Sequence, residues 1–424
     1  MLYRFYLILR YFTTCGVTFA DVLYSKCQIA RPKKRTEMRL YPSILLFLVI
    51  GVCHSQSISS VNFAYWYNLQ GEADVQFHPI VRGDSITVFY TVKTNNPSVT
   101  SYLIQWEKKD SYSQRQGGIF LPNDTVRLTS GKAEGKFVFP KPGKPWLLSA
   151  KVANTSTGKS WIFFKQIEAH YPVNGYLEQN GEKNWLSYKT TAGQYTAKGS
   201  GSGKAIHFSF YQDNFPTPSP PFADKELKMD RFLFPDSTFS TMPGNQIGPF
   251  GKDGLYLAQE DTTSSEGFSF MVKRYPYPRY NKLADLKGPL LFVTTREEND
   301  QIGAAGEDKT KFDKIILDIT NDPERAKNFM RNYFKRVEWA NQFFTSFKEG
   351  WKTDRGMVYI VFGAPDEVAV NGQQEIWGYK NPKQQYVFIK SGSVYGPDHY
   401  VLIRDKQYTE DWYQTIDLWR KSRF

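Results

Sequence analysis

Short runs of alternating polar and apolar residues fill the chain from about residue 60 to residue 172. Residues 85–92 alternate for most of their length, as do 102–107 and 136–139, and apolar runs at 146–152 and 161–167 follow. A period of two puts successive side chains on opposite faces, so these runs predict strands with one buried face. Turn formers separate them: Asn95, Asn96 and Pro97; Gln116, Gly117 and Gly118; Pro140, Lys141, Pro142 and Gly143. Short, regularly spaced strands rich in Trp, Phe and Tyr predict an Ig-like β-sandwich over residues 56–172.

The pattern loosens over residues 173–305 but stays β-rich, with strands expected at 185–190, 193–198, 205–211 and 268–273. Gly199, Ser200, Gly201, Ser202 and Gly203 lack the lysine and following helix of a phosphate loop and predict a flexible hairpin tip. Four prolines between Phe215 and Phe222 forbid a helix and predict an extended strap across the protein's own surface. Pro276 and Pro278 keep Tyr275, Tyr277 and Tyr280 in an extended segment, where exposed aromatics would suit an interface.

A period near 3.6 appears only toward the C-terminus. Asp322 is placed to cap a helix and Pro323 to open it. Apolar positions recur at Ala326, Phe329, Tyr333, Val337, Ala340, Phe344 and Phe347, and Gly350 ends the pattern. Some 26 residues make a helix of about 39 Å. Strands are expected at 357–362, 375–379, 386–389 and 400–403, and a last helix at 410–421 with Thr409 as its cap. The fold class is therefore a mainly β N-terminal region of β-sandwich domains, followed at 306–424 by an α+β domain: one long helix over a small antiparallel sheet.

The first 55 residues belong to none of these. Arg31, Lys33, Lys34, Arg35 and Arg39 precede an apolar run at 44–52, then Cys53, His54 and Ser55. A basic region, a short apolar core and a small-residue exit form a secretory signal, too short to span a bilayer. A start at Met38 would give a signal of ordinary length, with residues 1–37 an upstream extension; the other reading is an extended basic region that begins at Met1. Two exits compete: cleavage after Ser55, or lipidation at Cys53. Val52 departs from the small residue usual before a lipidated cysteine, and this favours the soluble exit.

Cys15, Cys27 and Cys53 are the only cysteines, so a chain released after Ser55 has no thiol or disulfide. The leader holds eight Lys/Arg and two Asp/Glu; residues 56–424 keep 46 against 40, a net charge of +6. That excess is spread along the chain, which argues against a nucleic-acid partner.

Catalytic patterns are absent: no HExxH, Walker A loop, GxSxG or cysteine nucleophile. His78, His170, His207 and His399 are scattered, so no metal site and no cofactor are expected. Carboxylates at Asp354, Asp366, Glu367 and Glu375 fall at the ends of expected strands. A pair of them would suit acid–base work on a glycan, although such positions are more often turn formers. Phe, Tyr and Trp make up 16% of the chain, enough to supply interface anchors as well as cores.

One run stands apart: Gly350, Trp351, Lys352, Thr353, Asp354, Arg355 and Gly356, followed by Gly363, Ala364, Pro365 and Asp366 and by Glu375, Ile376 and Trp377. It resembles the GWxTD-domain family, as do Tyr333, Phe334 and Trp339 in the preceding helix. The resemblance is specific over about residues 310–390. It implies an exported protein of bacteria with an outer membrane, chiefly Bacteroidetes, but brings no reaction or substrate. Two roles for the run stay open. In the structural one Gly350 ends the helix in a left-handed conformation, Trp351 folds back on the core, Thr353 and Asp354 bond the turn, and Arg355 meets a carboxylate. In the binding one Trp351, Thr353, Asp354, Arg355, Asp366, Glu375 and Trp377 form a ligand site. The expected function is a non-enzymatic envelope protein on the periplasmic side of the outer membrane. Its expected partners are outer-membrane or periplasmic protein subunits; the alternative is a glycan-binding or glycan-cleaving protein.

Overall fold

The computed structural model describes residues 56–95, 102–120, 131–224 and 233–423. The leader, the alternative start at Met38 and Cys53 lie outside the described residues.

The first seven strands are β1 (Ala73–Arg82), β2 (Ser85–Thr94), β3 (Tyr102–Lys109), β4 (Gly118–Phe120), β5 (Lys132–Pro140), β6 (Trp146–Asn154) and β7 (Ser160–Ile167). They form two antiparallel sheets, β1-β2-β5 and β4-β3-β6-β7. The alternation read from the sequence is the reason: Val88, Tyr90, Trp106, Phe137, Leu148 and Val152 all point into the layer between the sheets. Gln76, Thr91 and Glu134 lie side by side in the cross-strand register and face away from it.

Nine strands follow: β8 (Tyr176–Gln179), β9 (Glu182–Asn184), β10 (Tyr188–Thr190), β11 (Tyr195–Lys198), β12 (Ile206–Gln212), β13 (Ser237–Thr241), β14 (Gln246–Ile247), β15 (Gly254–Gln259) and β16 (Phe268–Lys273). They make a second pair of sheets, β14-β11-β8-β9 and β10-β16-β15-β12-β13. Their shared core includes Tyr195, Phe208, Tyr256 and Phe270. Every residue of β15 is buried, so it shows no alternation, and the sequence pattern missed it. The Gly199–Gly203 stretch is not a hairpin tip. It carries the chain from β11 in one sheet to β12 in the other, and the Glu260 carboxylate holds it through Ser200 N (2.8 Å) and the Ser200 and Ser202 hydroxyls.

The C-terminal region holds α1 (Leu283–Leu290), α2 (Arg296–Ala305), α3 (Lys309–Thr320), α4 (Pro323–Phe344) and α5 (Asp354–Phe362). Strands β17 (Glu367–Asn371), β18 (Gln374–Lys380), β19 (Lys383–Lys390) and β20 (Tyr400–Leu402) follow, then α6 (Thr409–Arg420). The four strands form an antiparallel meander. The fold class is as the pattern implied, with more helix: α1 and α2 fall inside the stretch expected to be β-rich. A start signal was present for α2, a Thr295–Glu298 capping box, and for α3, the Asp308 cap, whereas Lys282 before α1 makes no side-chain cap. What hid α1 and α2 is weak amphipathicity over short lengths.

Three expectations at the C-terminus are corrected. Residues 357–362 form helix α5 and not a strand. Met357, Val358, Tyr359, Ile360 and Val361 are all buried, and an all-round apolar run carries no period by which helix and strand can be told apart. Helix α4 ends at Phe344, short of Gly350, because the Thr345 hydroxyl donates to Asn341 O (2.6 Å) and accepts from Gly350 N (3.2 Å). Thr409 does not cap α6 with its side chain; its hydroxyl donates to Lys406 O.

The proline-rich segment is a strap. Phe215 packs on Phe347, Ser219 O accepts from Arg404, and Phe222 meets Tyr413. The 275–280 segment is turned rather than extended, and Tyr277 is buried against Tyr188, while Tyr275 is exposed. A further segment, 56–72, runs between the sandwich and the C-terminal module. Phe63 N donates to Val368 O and Asn62 Oδ1 accepts from Val368 N, so this segment covers the open edge of β17. The Tyr65 hydroxyl donates to Ile162 O in β7.

Candidate functional site

Each residue of the glycine-tryptophan run has an identifiable partner. Gly350 is not left-handed. It lies so close to α4 that a Cβ there would sit 2.1 Å from Ala340 O. The Trp351 indole fills the space over Gly288 and meets Phe292 edge-on. Its backbone N donates to Asn341 Oδ1 (3.0 Å) and its ring N–H to Glu349 (3.2 Å). Thr353 caps α5: its hydroxyl accepts from Gly356 N (3.0 Å) and donates to Gly350 O (2.7 Å).

Asp354 faces the far side. It accepts Leu402 N (2.8 Å) and takes both Arg404 guanidinium nitrogens (2.7 and 3.3 Å), a two-pronged ion pair that also ties α5 to the strap. Arg355 lies between the rings of Phe344 and Tyr400 and reaches Glu375 (3.3 Å), the Tyr67 hydroxyl (3.4 Å) and Asp398 O (3.0 Å). Glu375 also accepts from the Tyr67 hydroxyl and from Trp377 Nε1 (2.6 Å). Asp366 is exposed and accepts Lys380 N (2.8 Å) beside the β17–β18 pair.

The seven residues therefore do not converge on one site. Arg355, Glu375 and Trp377 share a network; Trp351, Thr353, Asp354 and Asp366 have separate partners. Trp351, Thr353, Asp354, Glu375 and Trp377 are all buried. The two buried carboxylates are bound to guanidinium groups, an arrangement that holds elements together and offers no free acid to a substrate.

Beside the run is a closed ring of charge. Lys273 bridges Asp213 (2.6 Å) and Glu349 (2.9 Å), and Lys352 bridges the same two (3.1 and 3.0 Å). It locks the second β-region to the C-terminal module. Burial alone raises the Glu349 carboxyl; the ammonium groups of Lys273 and Lys352 outweigh it and hold the group at about 2, against an ordinary 4.5. A folded-state value below the unfolded one gives stability that is present above pH 4.5 and lost as pH falls toward 2. The shift is worth roughly 3 kcal/mol. Urea titrations from pH 7 to 2 should show this loss in the native sequence and a flatter profile, starting from lower stability, in Glu349→Gln. Parallel profiles would remove Glu349 as the acid-sensitive group.

A cleft of about 1100 Å³ lies elsewhere, between the outer face of β1-β2-β5, the turn from β9 to β10, and the loop before β20. Of the seven expected site residues only Arg355 lines it. His78 and Trp185 bridge the two β-regions across it, their rings parallel at 4.2 Å. Lys189 supports the Trp185 turn by donating to Asn184 O (3.0 Å), Asn184 Oδ1 (2.8 Å) and Leu186 O. Burial pushes its ammonium down to about 7 and the His78 imidazole down to about 3, so the imidazole is neutral. Asp398, half-exposed at the cleft, is gripped by Lys165 (2.7 Å) and Lys390 (3.1 Å), whose charges hold its carboxyl well below the usual carboxylate range. Sequence reasoning missed this group because its members are some 320 residues apart at the extremes. The one available signal was His78 on the outward phase of an alternating strand. Among the described residues no cluster of His, Cys, Asp and Glu could hold a metal ion, and no helix is long and apolar enough to cross a membrane.

A β-rich scaffold with its signature run buried at the joint between helices and sheet defines the class. Residues 254–421 match the family model of the GWxTD domain, so this chain carries that domain. The match begins at the first residue of β15, which takes the last two strands of the second β-region into the family unit. No curated protein matches the chain.

Proposed function

We propose that this is a non-enzymatic interaction protein of the cell envelope, a subunit on the periplasmic side of an outer-membrane complex that assembles, exports or supports envelope proteins. The observation that carries the reading is the fate of the motif carboxylates. Asp354 and Glu375 are buried and bound to Arg404 and Arg355, so these two carboxylates build a joint and do not act as an acid–base pair. The secretory leader read from residues 31–56 supports export. Ion pairs hold the β-regions and the GWxTD domain together.

Purification of the tagged protein from its native envelope in mild detergent, read by mass spectrometry and native mass, tests this. A stable set of outer-membrane partners is expected. A lone monomer would end the subunit reading.

A further inference from the structure

One sheet edge in the second β-region lacks the protection that the others have. An edge strand presents unpaired N–H and C=O groups, and proteins blunt such edges with charge, proline, short length or cover. Among the described edge strands β1 carries Asp74, Pro79 and Arg82, and β5 carries Lys132, Glu134 and Lys136. On β7 the Tyr65 hydroxyl bonds to both Ile162 O and Ile162 N, and residues 56–72 cover β17. The edge strands β4, β9, β10, β14 and β20 are two or three residues long. Strand β13 has none of these devices. Its five residues are uncharged, and its backbone ladder runs to β12 alone among the described residues. The edge is also apolar. Phe239 lies flat on Phe208 at 4.7 Å yet is 40% exposed, and Phe234 and Met242, beyond the two ends, are exposed as well.

The order of residues indicates what fits there. Two hydroxyl residues stand on each side of Phe239, Thr238 and Ser237 one way, Ser240 and Thr241 the other. Pro235 and Pro243 each lie four residues from Phe239 and close the strand at both ends, since proline has no N–H to give a ladder. A second copy laid antiparallel about Phe239 therefore matches at every position. Phe239 opposes its counterpart, Thr238 opposes Ser240, and Ser237 opposes Thr241. Cross-strand ring pairs and hydroxyl pairs stabilise a sheet, and no like charges meet. The arrangement is two-fold and isologous, so it closes after two copies.

We propose that β13 is a self-association edge, through which two copies of this chain pair antiparallel about Phe239 and join their five-stranded sheets into one. The pairing does not depend on the subunit reading.

Sedimentation equilibrium of the purified mature protein over a concentration series tests it. A dimer with a dissociation constant in the micromolar range is expected, because a ladder this short buries little surface. Ser237→Lys with Thr241→Lys sets ammonium groups opposite each other at both ends of the pairing and should weaken it roughly tenfold. Ser237→Lys with Thr241→Asp sets an ammonium opposite a carboxylate at the same two places and should restore it to near the native value. Both variants alter the same two positions, and circular dichroism of each checks that the fold is kept. A protein that stays monomeric into the high-micromolar range, a dimer unmoved by the first variant, or equal weakening in both would overturn the proposal.

Discussion

Asp354→Ala is expected to lower the unfolding free energy by about 3–5 kcal/mol, the usual loss when one partner of a buried ion pair is removed. The change leaves the Arg404 guanidinium without its carboxylate and Leu402 N without its acceptor, at the point where α5, β20 and the proline-rich strap meet. Urea unfolding measures it. Replacing both partners by apolar residues, Asp354→Leu with Arg404→Met, should recover much of the loss, since no buried charge is then stranded. The same variant decides between the two roles of the family run. Normal stability with lost partner binding would make Asp354 a contact residue and contradict its placement here.

Gly356→Ala is expected to cost more than about 4 kcal/mol, in the range reached only by severe steric or polar defects. A Cβ at this position would lie 1.9 Å from Gly350 O, a backbone atom that cannot rotate away. Gly350 is itself pressed against α4, so the clash has no direction in which to relax. The neighbouring Thr353→Ala removes only the α5 cap and should cost about 1 kcal/mol. Chemical denaturation of the two variants side by side gives the comparison. Similar losses would mean that the start of α5 is free to shift away from Gly350.

Much of the fold was legible because its signals are local. Strands β2, β3 and β6 show in their alternation or apolar runs, and α4 in its 3.6 period together with Asp322 and Pro323, which do cap and open it. The family run pointed to the right domain through residue types alone. Legibility failed where burial is complete. Helix α5 and strand β15 are apolar on every side, and without a polar face neither period nor type can be read. It failed again at the two glycines. Residue type says that a side chain is not tolerated at Gly350 or Gly356, but not whether the reason is a left-handed turn or a close backbone approach; the structure shows the second.

By itself, then, the sequence determined the order of β and α regions, the GWxTD identity of the C-terminal part and the lack of any familiar catalytic motif, because these depend on neighbours within a turn or a strand. Tertiary structure alone decided that the motif carboxylates are bound to Arg404 and Arg355, that residues 56–72 cover the edge of β17, and that His78, Trp185, Ser346 and Asp398 share one cleft. Those contacts join residues hundreds of positions apart, and which of them form depends on how whole sheets pack, a quantity no local pattern encodes.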